Sequence, residues 1–512
     1  MSNMSGKILY VPLDERPCNY YFPTALFGAG MDIVSPPADI MGCKKKPACF
    51  ERLVGWLEKN AAGAESLVIS IETLVFGGIV PSRVHGMSVD EIKPRFDVLH
   101  KLRENYPKLK IFAFSLILRC PQYSSDDEEP EYYKRFGQEI FLKGELIHKK
   151  ELGEIGDGEY KQRAALLDAK IDKACYEDYI KRRETNLAIN IMTLELTGHG
   201  IIDFCIIPQD DAAPYGFTAI DQIKIRARIK NKVLQSKALM YPGADEIGMI
   251  LMARLLNEKK NRVPRVFVKY SAHDAVNVIP LYEDRTLGET VKYHITASGC
   301  VMWDNPDTAD IILMVNAPSG NMVCLCQPQA VSHNIRNYDI ERNLAEFCAS
   351  IRYFCRGMKK PVALADAAYC NGGDIELIKI LDKEDLLGEF AAYAGWNTSS
   401  NTIGTALSQA VCYLHFGKTQ RHMDFLALRY AEDAAYCAKV RALVCDKYLP
   451  ALNLDYFNAG GQRGKVAEIV KAEIEAFMKK NIPAAAKDIE ITDCYMPWAR
   501  MFEAGLTCVW KK

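Results

Sequence analysis

The run Phe204-Cys205-Ile206-Ile207-Pro208 breaks directly into Gln209-Asp210-Asp211-Ala212. A stretch this short and apolar, with no alternation, reads as a strand buried on both faces, the kind found in parallel sheets. The same pattern recurs along the chain. Ile8–Leu13, Asp32–Ser35, Ser66–Ile71, Lys110–Leu116, Ala238–Tyr241, Val266–Tyr270, Tyr293–Ala297, Ile311–Val315, Val362–Ala365 and Phe390–Tyr393 are its other strand candidates. Helical periodicity fills the gaps, as in Cys49–Lys59 and Val89–Glu104. Ser88 with Glu91 three residues later predicts a capping box at the start of the second. Strands alternating with helices define an α/β protein with parallel sheets.

Two doubly wound, Rossmann-like lobes are the expected architecture. The alternative is a (β/α)8 barrel closing over the first eight strands, with an α/β appendage. Residues 128–197 are rich in Lys, Glu, Arg and Tyr at helical spacing, which predicts a helical insertion after the fourth strand, covering a cleft. The charged stretch Asn257–Pro264 is the expected boundary. The domains are then 1–260, 261–420, and a helical C-terminal extension over 421–512.

Composition narrows the function. With 64 Lys+Arg against 65 Asp+Glu the net charge is −1, without the basic footprint that nucleic-acid binding needs. No run of 18 uncharged apolar residues predicts a membrane span, and no signal peptide is read at the N-terminus, so a cytoplasmic location is expected. The 17 cysteines lie scattered in apolar runs, with Cys324-x-Cys326 the one close pair, and read as reduced structural thiols.

Chemistry is expected where strands end, because both architectures place function at the C-terminal ends of the strands. Asp14, Arg16 and Asn19 follow the first strand. Glu72 follows the third, with Arg83 beyond Phe76-Gly77-Gly78, and Arg119 closes the fourth. Asp245-Glu246 follows the sixth. Later strands run into His273-Asp274, then Asp366 with Asn371-Gly372-Gly373-Asp374, and then Trp396-Asn397. A single Asp there would only cap the next helix. A rim of carboxylates, amides, Arg and Trp suits a neutral polyhydroxylated ligand, because carboxylates and amides bond hydroxyls and an indole stacks on a sugar's apolar face.

Tandem Asp210-Asp211 is the sharpest signal. One acid of such a pair can hold a proton for a leaving group while its neighbour stays ionised, and glycoside hydrolysis needs two acids flanking one bond. The expected function is an intracellular glycoside hydrolase acting on a small glycoside or oligosaccharide. Asp210 and Asp211 are its catalytic pair, with Asp245 and Glu246 as the alternative acids. Asp14, Arg16, Asn19, Glu72, Arg83, Arg119, His273, Asp274, Asp366, Asn371, Asp374, Trp396 and Asn397 would bind substrate.

No cofactor is expected. The Gly-rich loops match neither a Walker loop nor Gly-x-Gly-x-x-Gly, and no Gly-x-Ser-x-Gly elbow is present. Cys18, Cys120 and Cys370 sit beside rim motifs without an activating neighbour. Two other readings stay open. His273 with the same carboxylates could hold Mn²⁺ or Mg²⁺ in a sugar isomerase, aldolase or hydrolase. Alternatively, the lobes could bind a carbohydrate without catalysis. The partner is a small-molecule carbohydrate, not a nucleic acid or a membrane, and a homo-oligomer is possible.

The motifs Val11-Pro-Leu-Asp-Glu-Arg-Pro-Cys-Asn19, Gly77-Gly-Ile-Val-Pro-Ser-Arg83, Gln209-Asp-Asp211, Gly243-Ala-Asp-Glu246, Asn371-Gly-Gly-Asp374 and Ala394-Gly-Trp-Asn-Thr398 together resemble the bacterial domain-of-unknown-function family numbered 4127. The resemblance runs from the first strand to about residue 410. It implies a bacterial protein forming one conserved unit, and it supplies no catalytic residues. Asp210-Asp211 after an apolar strand is also similar to the paired acids of substrate-assisted N-acetylhexosaminidases, in which one acid orients the acetamido group and the other is the general acid.

Overall fold

A computed structural model describes residues 6–325 and 335–511. Cys326 lies outside the described residues. The chain divides into two compact units: the first holds residues 1–15, 31–248 and 282–284, and the second holds 16–30, 249–281 and 285–512.

The first unit is built on six parallel strands: β1 (Lys7–Val11), β2 (Asp32–Val34), β3 (Ala64–Ser70), β4 (Lys110–Phe114), β5 (Phe204–Gln209) and β6 (Ala238–Pro242). Their spatial order is β2-β1-β3-β4-β5-β6. The four inner strands are mostly apolar and buried, as expected where helices cover both faces of a parallel sheet. Leu9, Val11, Leu67, Ile69, Ile111, Ala113, Cys205 and Ile207 share one buried cluster with Leu53 and Leu57 of the helix Phe50–Ala61. The expected capping box is present: Ser88 Oγ accepts from the Glu91 amide and Glu91 accepts from the Ser88 amide. Ser88→Ala is expected to lower the stability of this unit by about 1 kcal/mol, read as a shift in urea midpoint; an unchanged midpoint would show the cap to be dispensable.

Between β4 and β5 come three long helices, Tyr133–Glu151, Asp157–Asp168 and Lys173–Gly198. The last of them packs over the C-terminal ends of the strands. Its Asn190 donates to Ser115 Oγ (2.8 Å) and the Leu116 carbonyl (3.0 Å), and its Asn186 donates to the Ser82 carbonyl (2.9 Å).

The second unit carries a sheet of β7 (Arg265–Tyr270), β8 (Val301–Met302), β9 (Ile311–Asn316), β11 (Val362–Asp366) and β13 (Ala392–Ala394), in the order β13-β11-β9-β7-β8. Every pairing is parallel. Read from its own first strand, this order is again 2-1-3-4-5, so both sheets are doubly wound with a switch point between their first and third strands. Two open sheets with free edges replace the barrel alternative. A small parallel pair, β10 (Val323–Cys324) and β12 (Tyr369–Cys370), stands beside the second sheet.

Three expectations are corrected. Tyr293–Ala297 is not a strand but the end of the helix Leu287–Ala297. Its β-branched residues mimic a strand, whereas Leu287, Val291 and Ile295, buried at intervals of four, form a helical stripe. The C-terminal segment is not wholly helical, because β14 (Ile489–Tyr495) and β15 (Gly505–Trp510) form an antiparallel pair. A register break between Ile491 and Asp493 blurs the alternation that would have revealed it. The division between units falls between Gly248 and Met249 rather than in Asn257–Pro264, because the apolar helix Ile247–Lys259 packs into the second unit.

Candidate functional site

In the first unit, four of the expected residues meet at the ends of β3, β4 and β5. Arg83 lies on the short helix Ile79–Val84, which follows a turn at Gly77 and Gly78 with φ of 91° and 137°, a backbone region open to glycine. Arg119 follows β4, where Ile117 bridges in parallel to Gln209 and extends that pairing past the strand. Arg83 Nη2 donates to Asp210 Oδ2 at 2.5 Å, and Arg119 Nη1 donates to Asp211 Oδ2 at 3.1 Å. The tandem acids therefore point to different arginines, and Asp211 holds a left-handed backbone with φ 42°. Such a conformation in a non-glycine residue is uncommon and gathers at functional sites.

Two further acids complete the cluster. Glu128 accepts from both Arg83 Nη1 and Arg119 Nη2, and Glu129 accepts from Arg119 Nε at 2.8 Å. Neither was expected from the sequence, because both open the charged insertion and read as solvated. Their spacing from Arg119, nine and ten residues along one connection, was the available signal.

The insertion fixes Arg119 from behind. Tyr179 and Arg183 donate to the Arg119 carbonyl at 3.2 Å each, and Arg183 reaches the Leu118 carbonyl at 2.6 Å while pairing with Asp221. Burial sets the electrostatics. Desolvation, reinforced by the neighbouring Asp210 charge, pushes the Asp211 carboxyl up to about 6 against the pull of Arg119 and Arg83. Burial also raises Glu129. Although desolvation disfavours the charge of Arg119, Tyr123 and the surrounding carboxylates hold that guanidinium well above its ordinary value.

Glu72 lies buried behind this rim. It accepts from the Leu116 amide (2.8 Å) and Ser115 Oγ (3.2 Å), and burial lifts it to about 7 despite those bonds. A carboxyl raised in the folded state contributes stability that is complete below its unfolded value and is lost as pH rises through about 7. Glu72→Gln is therefore expected to remove on the order of 2 kcal/mol of the stability loss between pH 5.5 and 8. Urea titrations at the two pH values check this, and an unchanged pH slope would contradict it. Asp14, Asp245 and Glu246 are also buried in this unit, at the ends of β1 and β6. Glu246 accepts from the Ala244 amide at 3.0 Å, folding its carboxylate onto its own turn.

The remaining expected residues belong to the second unit. Asp366 and Asp374 are buried in a closed polar core. Asn316 Nδ2 donates to both (2.8 and 3.3 Å), Arg342 pairs with Asp374, and Tyr393 donates to Asp366 at 3.2 Å. Burial and Asp374 push Asp366 up to about 7. A Cβ on Gly373 would lie 2.2 Å from Tyr393 Oη, so the Asn-Gly-Gly-Asp motif here serves close packing. Trp396 is likewise interior: its indole N–H donates to Thr405 Oγ1 at 3.2 Å and its ring meets Phe22 edge-on.

Asn371 and Asn397 adopt left-handed backbones, and the Asn371 amide donates to the Asn397 carbonyl at 2.8 Å. Arg16 lies over the Trp498 ring, 4.6 Å from its centroid, and Asn19 is buried. His273 and Asp274 are exposed on a short turn after β7. Among the described residues, no three His, Cys, Asp or Glu side chains are grouped to hold a metal ion, and the cysteines are unbridged. Among the described residues, no helix is long and apolar enough to cross a membrane.

The family model described as protein of unknown function (DUF4127) matches residues 8–507. The chain belongs to the DUF4127 family. No curated protein and no solved structure matches it. The DUF4127 match runs from β1 through both sheets and β14 into β15, so both units fall within one family match.

Proposed function

We propose that the chain is an intracellular glycoside hydrolase acting on a small glycoside or oligosaccharide through Asp210 and Asp211. The observation that supports this most is the division of labour within the pair. Arg83 holds the Asp210 carboxylate by a direct ion pair, while Asp211, half-buried and beside that charge, is raised to about 6 by desolvation. Asp211 is then the proton donor to the departing glycosidic oxygen. Asp210, ion-paired with Arg83, stabilises the positive charge that develops at the sugar ring or orients an acetamido group to attack it.

Both side chains keep an open face, 14% and 24% exposed, as a group that meets substrate requires. The carboxylates of the second unit's polar core lack that access: Asp366 is fully buried and Asp374 is 3% exposed. Asp245 and Glu246 are buried as well, which favours Asp210 and Asp211 over the alternative acids. The metal-dependent reading is less favoured, because the described side chains form no ligand cluster around His273.

The test is hydrolysis of a panel of aryl glycosides, including N-acetylhexosaminides, with and without EDTA. Aglycone release that is insensitive to EDTA is the expected result. Release abolished by EDTA, and restored by Mn²⁺ or Mg²⁺, would transfer the chemistry to a metal.

A further inference from the structure

Arg83 and Arg119 are 4% and 8% exposed, yet one of their shared partners comes from a loop rather than from the strand ends. Glu128 lays a single carboxylate oxygen across both guanidinium groups. It arrives on residues 121–130, a stretch without helix or strand that is bounded by Pro121 and Pro130. The neighbouring Asp127 pairs with Lys44, and the Asp126 carbonyl accepts from Lys45 at 2.5 Å, so this loop is tied to the lysine turn from outside. The Glu128 side chain is 16% exposed, whereas Glu129, on Arg119 Nε, is 3% exposed. If Glu128 withdraws, Arg83 keeps Asp210, and Arg119 keeps Asp211 and Glu129.

We propose that Arg83 and Arg119 form a subsite for the carboxylate of a uronic acid in the substrate, and that Glu128 fills this subsite while substrate is absent. A pair of guanidinium forks matches a planar carboxylate in shape and charge. Exchanging one carboxylate for another leaves the charge of the buried cluster unchanged, so the arginines are never left facing an empty, desolvated gap. The sugar identity rests on the hydrolase reading; the carboxylate preference rests on the arginine geometry alone.

Calorimetric titration of the full chain with D-glucuronate and with D-glucose, for the wild type and Glu128→Gln, separates the two. Removing an internal competitor raises apparent affinity by the reciprocal of the fraction of sites it had left open, about tenfold where roughly one site in ten is open. Glucuronate is expected to bind Glu128→Gln about tenfold more tightly than the wild type, and glucose is expected to show no difference. Equal glucuronate affinity in both proteins, or none in either, overturns the proposal. Binding of inorganic sulfate in preference to glucuronate overturns the uronate assignment. Should Glu128→Gln fail to fold, Glu128→Asp, which keeps the charge on a shorter arm, is expected to bind glucuronate more tightly than the wild type, and equal affinity there overturns the proposal too. Because the readout is binding, a silent glycoside panel leaves this result standing, and a failure here leaves the hydrolase reading standing.

Discussion

Asp211→Asn is expected to lower glycoside turnover by about 10³-fold while leaving the fold intact, the scale of loss for a missing general acid. Asparagine cannot donate a carboxyl proton, yet it keeps the shape of the side chain and accepts the bond from Arg119 Nη1. It also tolerates the left-handed backbone at this position, where φ is 42°, better than most residues do. Removing an acid that burial already pushes toward its neutral form leaves no new unpaired charge except part of that on Arg119, which retains Glu128 and Glu129. Turnover of an aryl glycoside and a thermal melt, run on one preparation, check both halves. A variant that melts like the wild type and turns over like it would remove Asp211 from the chemistry.

Arg119→Met is expected to cost about 3–5 kcal/mol at pH 8, the scale for breaking a buried ion pair from one side. Three carboxylates, Asp211, Glu128 and Glu129, lose a partner at once. The cost should shrink as pH falls. Asp211 and Glu129 are already raised by burial, and without the guanidinium they take up protons at still higher pH, which removes the unpaired charge. Hydrogen exchange of peptides covering β4 and β5, at pH 5.5 and pH 8, reads the effect in the first unit directly. Protection in the variant should fall at both pH values and fall further at pH 8. Equal losses at the two pH values would mean that the carboxylates are not the source of the penalty.

Most strands of the two parallel sheets were legible because they are short buried apolar runs, whereas the two-residue strands β8, β10 and β12 were too short to stand out. Legibility failed where periodicities overlap. Val291, Ile295 and their β-branched neighbours satisfied a strand pattern locally and a helical stripe over a longer span. The β14–β15 hairpin, with its register break and a long connection through Trp498, lost its alternation.

At the candidate site the outcome divides along the same physical line. Asp210, Asp211 and Arg119 were readable because each lies just past the end of a strand, and Arg83 because it closes the short helix that follows β3. Glu128 and Glu129 were not, because a run of four acids has the composition of a solvated loop until two arginines are folded beneath it. Trp396 and Asp374 carried the composition of a sugar rim, but they spend their polar atoms on Thr405, Asn316 and Arg342. Residue type at a strand end does not reveal whether a side chain faces solvent or the core.

The pH profile of kcat/KM for aglycone release by the wild type tests the central claim most directly. Proton donation requires Asp211 to be protonated, and it is raised to about 6 by burial and Asp210, with Arg119, Arg83 and Glu128 also facing it. The rate should therefore fall with rising pH, approaching tenfold per unit above that value. A rate that stays flat or rises between pH 6 and 8 would contradict the assignment of Asp211 as the acid.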